Sequence, residues 1–306
     1  MEPVIEDRSD DGHDVSVSPA PSHDHRTPIA PARDLVVTVE GVPIHLVVQG
    51  EGPPVVFVHG ARGSAFDFTY RLLPRAAARY TAIAVDRPGS GASGRAPGRG
   101  SPAVHARLLH GALAQLGVSR PLLVGHSLGA ALVIVYATTY PDDVAGVVTL
   151  CGHVVPYDRT FFPSAMLMTA PGVGSIVLAT LLSPAGRLLA PGVLRRVFSP
   201  HPVPSDYASR AVATALSPNQ IRADGEALDA TDPALRAVID RFVALDLPVT
   251  VVACEGDRVI PAAEPRELAR RMPQARLVTL PRASHLPQVC VPDAVLQVVD
   301  ETMARV

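Results

Sequence analysis

The chain has 306 residues, of which 47% are hydrophobic and 18% charged, enough for one large α/β domain with a buried core. A formal net charge of −2 and the lack of a basic stripe exclude the electrostatic pattern of a nucleic-acid-binding protein. All 27 basic residues are arginine, which excludes Schiff-base chemistry and a P-loop lysine.

Residues 1–33 are rich in Asp, Ser, Pro and His and predict a disordered polar tail. This acidic start is the opposite of the basic, apolar opening of a signal peptide. Cys151, Cys254 and Cys290 show no C-x-x-C spacing, so we interpret them as small apolar fillers and not as a disulfide framework or metal ligands. The sequence therefore predicts a cytoplasmic protein, with neither a metal nor a cofactor.

From Asp34 onward, short apolar runs alternate with helical stretches, after an opening hairpin around Gly41. Strands are predicted over 35–39, 44–48, 55–58, 81–85, 121–124, 146–150, 249–253 and 276–280. Helices are predicted over 67–79, 102–116, 128–140, 262–271 and 294–304. Continuous apolar strands that alternate with helices are typical of a parallel sheet with helices on both faces. The hairpin makes the predicted sheet mixed.

A Pro- and Gly-rich stretch interrupts this pattern, so we predict an inserted helical lid over 152–245 and a core formed by 34–151 and 246–306. Residues 161–186 contain no charged residue and are long enough to cross a bilayer. Repeated prolines and glycines argue against a membrane span, and one sheet would have to be split by it. We interpret the segment as an apolar lid that lines a pocket or makes transient contact with lipid.

Gly125, His126, Ser127, Leu128 and Gly129 form a G-x-S-x-G motif between an apolar strand and a helix. In that context the motif indicates a tight turn that holds the serine above the sheet as a nucleophile. The glycines fit where side chains would clash. The helix N-terminus and the amide of Leu128 favour negative charge beside Ser127.

His59 and Gly60 follow the predicted strand 55–58. A glycine just past a strand end allows a sharp turn that presents backbone amides to a reacting carbonyl oxygen. The amides of Ala61 and Leu128 would then form an oxyanion hole. We expect the turn to matter more than the His59 imidazole, which we interpret as structural.

Asp257 follows the strand 249–253, and His285 lies in the loop after the last strand. Both therefore reach the sheet edge at which Ser127 is predicted. We predict that His285 is the general base for Ser127 and that Asp257 orients His285. Asp158, within the lid, is the alternative orienting residue.

These motifs, together with the loop Asp86–Gly91, resemble the α/β-hydrolase superfamily, in its bacterial esterase and haloperoxidase-like branch. The resemblance runs from Asp34 to Val306, and the lid is the poorly matched part. It implies the α/β-hydrolase fold, with the lid inserted after the sixth strand. The serine at the elbow argues against the aspartate-nucleophile branches that act on haloalkanes and epoxides.

The resemblance and the triad together predict a serine hydrolase that cleaves a small or medium apolar ester through an acyl-enzyme. Amide or carbon–carbon bond hydrolysis and a perhydrolase or haloperoxidase-like activity use the same triad and stay open. So does a non-catalytic acyl-binding protein. The expected partner is an ester-like small molecule, without nucleic acid or a membrane span, and the sequence does not determine the oligomeric state.

Overall fold

A computed structural model describes residues 6–7, 31–96, 98, 100–156 and 183–306, with side chains for all of these except 6, 7 and 183–185. Most of the predicted tail and the first part of the predicted lid lie outside the described residues. Asp158 lies outside them as well. Within the predicted tail, Glu6–Asp7 form a short strand, and Arg33 already belongs to the next strand.

A nine-stranded sheet forms the centre of the described structure, in the order β1-β9-β8-β7-β6-β4-β5-β3-β2. The strands are β1 (Glu6–Asp7), β2 (Arg33–Val39), β3 (Val42–Gln49), β4 (Pro54–Val58), β5 (Thr81–Val85), β6 (Leu122–His126), β7 (Gly146–Leu150), β8 (Val249–Cys254) and β9 (Arg276–Leu280). Strands β4 to β9 run parallel, whereas β1, β2 and β3 pair antiparallel with their neighbours.

The described helices connect these strands and cover both faces of the sheet. They are α1 (Phe66–Thr69), α2 (Leu72–Ala76), α3 (Pro102–Gln115), α4 (Leu128–Thr139), α5 (Ser183–Phe198), α6 (Ser205–Ala215), α7 (Pro218–Val243), α8 (Ala263–Arg271), α9 (Pro287–Cys290) and α10 (Pro292–Met303). A 3₁₀ turn, Pro141–Asp143, precedes β7. Helices α3 and α7 each begin with a serine cap followed by proline, because the cap satisfies an amide that has no helical acceptor.

The core has two parts, one on each face of the sheet. Helices α3, α4 and α7 cover one face, and α2 and α10 pack on the other. Every residue of β6 and β7 is buried, and so is nearly all of α4, because this helix lies between the sheet and two other helices. The uniformly apolar sequences of these elements follow from burial on all sides.

The predicted strand–helix order and mostly parallel sheet are confirmed, with three differences. The single helix predicted over 67–79 is two short helices, because Arg71 leaves the helical backbone region at φ −141°. Strand β1 was not predicted, so the inserted segment follows the seventh strand of the chain. Short helix α9 precedes α10 and was also not predicted.

Three described helices, α5 to α7, lie between β7 and β8. The C-terminal half of α7 packs in the core through Leu235, Ile239 and Phe242, although the predicted boundary at residue 245 assigned it to the lid. The same helix therefore belongs to the inserted segment at one end and to the core at the other. Among the described residues, no helix combines the length and apolarity needed to cross a membrane.

Candidate active site

Ser127 lies at the sharp turn between β6 and α4. Its backbone has φ +52° and ψ −118°, a region that non-glycine residues rarely adopt. A Cβ atom at Gly125 would lie 2.4 Å from the Gly129 oxygen, and one at Gly129 would lie 2.3 Å from the Val58 oxygen. Both positions therefore require glycine, as the motif predicted. The amide of Ser127 donates to the Leu150 oxygen at 3.0 Å, which anchors the turn to β7.

His285 and Asp257 form a hydrogen-bonded pair at the same edge of the sheet. Nδ1 of His285 lies 2.7 Å from Oδ2 of Asp257, and the two side chains are 9% and 1% exposed. The amides of Val259 and Ile260 donate to the other carboxylate oxygen, at 2.6 and 3.0 Å. Because the carboxylate can only accept, Nδ1 carries the hydrogen and Nε2 is left to accept a proton.

His126 connects the serine turn to His285. Its Nε2 donates to the His285 backbone oxygen at 2.6 Å, and the two rings are 4.9 Å apart. Complete burial holds the pKa of His126 well below its usual range, so the ring is neutral. His126, the residue directly before Ser127, thus links the serine turn to the backbone of His285.

The loop after β4 passes directly over Ser127. A Cβ atom at Gly60 would lie 2.8 Å from the Ser127 Cβ, so only glycine allows this approach. The next amide belongs to Ala61, and the amide of Leu128 opens α4, where no intrahelical acceptor exists. Their role as oxyanion donors stays a prediction.

His59 supports this loop with both ring nitrogens. Its Nδ1 donates to the Gly60 oxygen at 2.8 Å, and its Nε2 accepts from the Arg87 amide at 3.0 Å. Burial, together with the nearby Arg87 charge, lowers the pKa of His59 to about 4. The imidazole is therefore neutral and structural, in the way that the sequence interpretation assigned it.

A buried charged cluster behind the loop was not predicted. The Arg87 guanidinium donates to the oxygens of His59 and Gly60, at 3.1 and 3.0 Å, and to Oδ1 of Asp224 at 2.6 Å. Oδ2 of Asp224 accepts from the Arg62 amide at 2.7 Å and from Gln220 at 3.0 Å. Arg87 lies in the loop Asp86–Gly91, which the sequence analysis used only for the family resemblance, and nothing in the sequence around Asp224 marked that residue.

A second contact joins α6 to the same region. The Tyr207 hydroxyl donates to Oδ1 of Asp67 at 2.7 Å, and Tyr207 stacks on Phe66 with ring centroids 5.4 Å apart. Burial raises the pKa of Asp67 to about 6. Asp67 also lies against the loop after β4, because a Cβ atom at Gly63 would clash with its carboxylate.

The interpretation of the cysteines was wrong, because Cys151 and Cys254 form a disulfide. Cys151 directly follows β7, and Cys254 is the last residue of the neighbouring parallel strand β8. Their Cα atoms are 5.8 Å apart, which is within disulfide range. Their separation of 103 residues in the chain hid this pairing. Only Cys290 is a free thiol. Cys151 directly follows Leu150, whose oxygen accepts the hydrogen bond from the Ser127 amide, and the Cys254 oxygen accepts from the Asp257 amide at 3.2 Å.

The family model described as the alpha/beta hydrolase fold matches residues 53–289. The chain belongs to this family.

Relatives of this α/β-hydrolase include several enzyme types. A 2-(acetamidomethylene)succinate hydrolase of Mesorhizobium japonicum is 28% identical over 272 residues, which cover 86% of this chain and 92% of that protein. Epoxide hydrolase 2 of Siraitia grosvenorii is 33% identical over 119 residues, and the match spans only 38% of either protein. Wild-type Cfl2 from Burkholderia cenocepacia has a similar fold, with a TM-score of 0.75 at 20% identity, covering 94% of this chain and 100% of that one. The resemblance stated from the motifs is thereby confirmed at the level of family.

Proposed function

We propose that this protein is a serine hydrolase that cleaves small or medium apolar esters through an acyl-enzyme. The observation that carries the proposal is the His285–Asp257 pair at 2.7 Å, at the edge where the strained turn holds Ser127. A nucleophile, a base and an orienting carboxylate are the three groups that acyl transfer requires.

In the proposed reaction, the Ser127 hydroxyl attacks the ester carbonyl while Nε2 of His285 takes its proton. The amides of Ala61 and Leu128 stabilise the negative oxygen of the tetrahedral intermediate. His285 then donates the proton to the leaving alcohol, which departs and leaves the acyl group on Ser127. A water molecule, deprotonated by His285, attacks the acyl-enzyme; the bond between the acyl carbon and the Ser127 oxygen breaks, the acid leaves, and His285 returns the proton to Ser127. Asp257 holds the tautomer and stabilises the imidazolium at both stages.

The test is intact-protein mass spectrometry after a fluorophosphonate probe, with a p-nitrophenyl ester chain-length series in parallel. We expect one adduct, mapped to Ser127, and ester turnover that Ser127→Ala abolishes. Ser119→Ala changes an exposed serine far from this edge and serves as the matched control. Turnover retained in purified Ser127→Ala would disprove the assignment.

A second candidate is amide hydrolysis on the same triad. It is favoured by the relative named 2-(acetamidomethylene)succinate hydrolase, which matches most of this chain. A clean Ser127 adduct without ester turnover would favour amides, carbon–carbon bonds or a perhydrolase reaction. Tight ester binding with neither adduct nor turnover would favour an acyl-binding protein. Epoxide hydrolysis is not proposed for this chain, because a serine and not an aspartate stands at the turn between β6 and α4.

We also propose that helix α5 makes transient contact with an anionic lipid surface. Leu188, Leu189 and Val193 on this helix are 83%, 64% and 57% exposed, and Arg187 and Arg195 on the same helix supply positive charge. The two arginines also line an open groove of about 420 Å³ between α5 and α6.

Vesicle co-sedimentation tests this contact. We expect pelleting with anionic vesicles that is lost in Leu188→Ser/Leu189→Ser. The control is Val36→Ser, which alters an apolar residue on β2 that is 62% exposed. Equal pelleting of the double variant and the wild type would disprove the contact.

We propose a cytoplasmic location, as predicted above from the sequence. The Cys151–Cys254 disulfide is the observation against it, because disulfides persist mainly in oxidising compartments. Fractionation of the native host decides between the two, and recovery outside the cytoplasm would disprove this part of the proposal.

A further inference from the structure

Residues 59–62, which we call the oxyanion loop, have a strained backbone conformation that depends on contacts from outside the loop. Gly60 is pressed against Ser127, as described above, and Arg62 has φ +62°, in the left-handed region. A non-glycine residue in that region costs about 1 kcal/mol or more and persists only where surrounding contacts enforce it. The contacts that enforce this conformation are therefore part of the site.

Arg87 and Asp224 supply those contacts from two different elements. The Arg87 guanidinium holds the oxygens of His59 and Gly60, and the Asp224 carboxylate holds the amide of Arg62. The loop is thus fixed on both sides of Ala61, whose amide is the proposed oxyanion donor. The two side chains also pair with each other at 2.6 Å while 1% and 0% exposed. Neither charge has water to replace its partner.

Helix α7 carries Asp224 and clamps a second loop in the same way. Gln220, one turn earlier, donates to Asp224 and to Ser90 and accepts from the Gly91 amide at 3.2 Å. A Cβ atom at Gly89 would lie 2.6 Å from the Ala223 side chain, so this loop rests directly on α7. The first turns of α7 therefore contact both the oxyanion loop and the loop Asp86–Gly91.

We propose that Arg87 and Asp224 are positioning residues that hold the Ala61 amide where the oxyanion forms. This inference rests on the proposed hydrolase function. A positioning role of this kind acts on the transition state, because the oxyanion exists only there. Loss of the clamp should therefore lower kcat and leave KM nearly unchanged. A misplacement near 1 Å at such a site costs about 10²-fold in rate.

The chain offers a closely matched control in the ion pair between Arg95 and Glu226. Glu226 lies two residues after Asp224 on α7, is 6% exposed, and also accepts a backbone amide, that of Gly100, at 3.2 Å. It supports a different loop and does not contact residues 59–62. Asp224→Asn and Glu226→Gln each remove one buried charge from the same helix, so they differ in which loop loses support.

The experiment compares these two variants with the wild type on one p-nitrophenyl ester. We expect Asp224→Asn to lower kcat by about 10²-fold, to change KM less than about threefold, and to weaken binding of a boronic acid by a factor similar to its loss in kcat. Glu226→Gln should keep wild-type kcat and lower the melting temperature less, because Arg95 is 35% exposed and water can replace its lost partner. Arg87→Lys, which keeps the charge but loses the planar fork, should fall between them.

Hydrogen exchange separates the possible failures. We expect the amides of residues 60–62 to exchange faster in Asp224→Asn, and not in Glu226→Gln. Unchanged exchange and full kcat in Asp224→Asn, or an equal loss of kcat in Glu226→Gln, would overturn the positioning role alone. A wild-type protein that neither turns over esters nor takes the fluorophosphonate would overturn the proposed function, and the positioning role with it.

Discussion

The Cys151–Cys254 disulfide allows a quantitative prediction about stability. It closes a loop between residues 103 positions apart, which in the chain-entropy model removes about 4.7 kcal/mol of denatured-state freedom. In a chain of this size, 1 kcal/mol corresponds to a shift of roughly 2–4 °C in melting temperature. We therefore expect full reduction, or Cys151→Ala/Cys254→Ala, to lower the melting temperature by on the order of 10 °C.

Two measurements check this expectation. Thiol titration of the denatured protein should find one reactive thiol, that of Cys290, before reduction and three afterwards. Calorimetry then compares oxidised and reduced wild type with the double variant, and Cys290→Ser controls for reactions of the free thiol. Three thiols in the unreduced protein, or melting of the double variant within about 2 °C of the oxidised protein, would refute the reasoning.

Three further predictions concern the site. Asp257→Asn should lower kcat by about 10³–10⁴-fold while ester binding persists, because His285 loses the partner that fixes its tautomer and balances its charge. Steady-state kinetics measures this loss, and a much smaller one would show that the pair is only structural. Because burial raises the pKa of Asp67 to about 6, the folded state holds its proton more tightly than the unfolded state does. Stability should thus fall by roughly 2–3 kcal/mol from about pH 4 to about pH 6, and Asp67→Asn should remove that slope from the melting temperature, so a slope unchanged in the variant would contradict this. Gly60→Ala should lower kcat by about 10²-fold, because the added Cβ would lie 2.8 Å from the Ser127 Cβ. Gly192→Ala, where the added Cβ would have no atom within 4 Å, should keep wild-type kcat. Equal rates in the two variants would contradict this prediction.

The sheet could be predicted because its signal is local. Strands such as β5, β7 and β9 are short apolar runs bounded by proline, glycine or charged residues, and their predicted limits agree with the structure. The serine turn was equally readable, because a glycine on either side of Ser127 reflects backbone contacts that no side chain allows. Its context between an apolar strand and a helix is local as well.

The unpredicted features depend on contacts between distant segments. Asp224 meets Arg87 from 137 residues away, and its neighbours on α7 read as an ordinary amphipathic helix. The pairing of Cys151 with Cys254 depends on the order and register of β7 and β8, which the sequence does not encode locally. The structure places Ser127, His285 and Asp257 at one edge, but the role of each residue stays a prediction until turnover is measured.

The inserted segment leaves the sheet at the carboxyl end of β7 and returns at the amino end of β8. Because the two strands are parallel, with Val147 opposite Val249 and Leu150 opposite Val252, the chain must cross back over the sheet before β8 begins. The last part of α7, which packs in the core, makes that crossing, so a different segment could be grafted in place of the residues before it without moving the sheet. The graft would have to keep the end of α7, including Leu235 and Phe242, because that part fills the core. A chimera that retains it and replaces the preceding residues should keep the sheet while changing what the entrance admits.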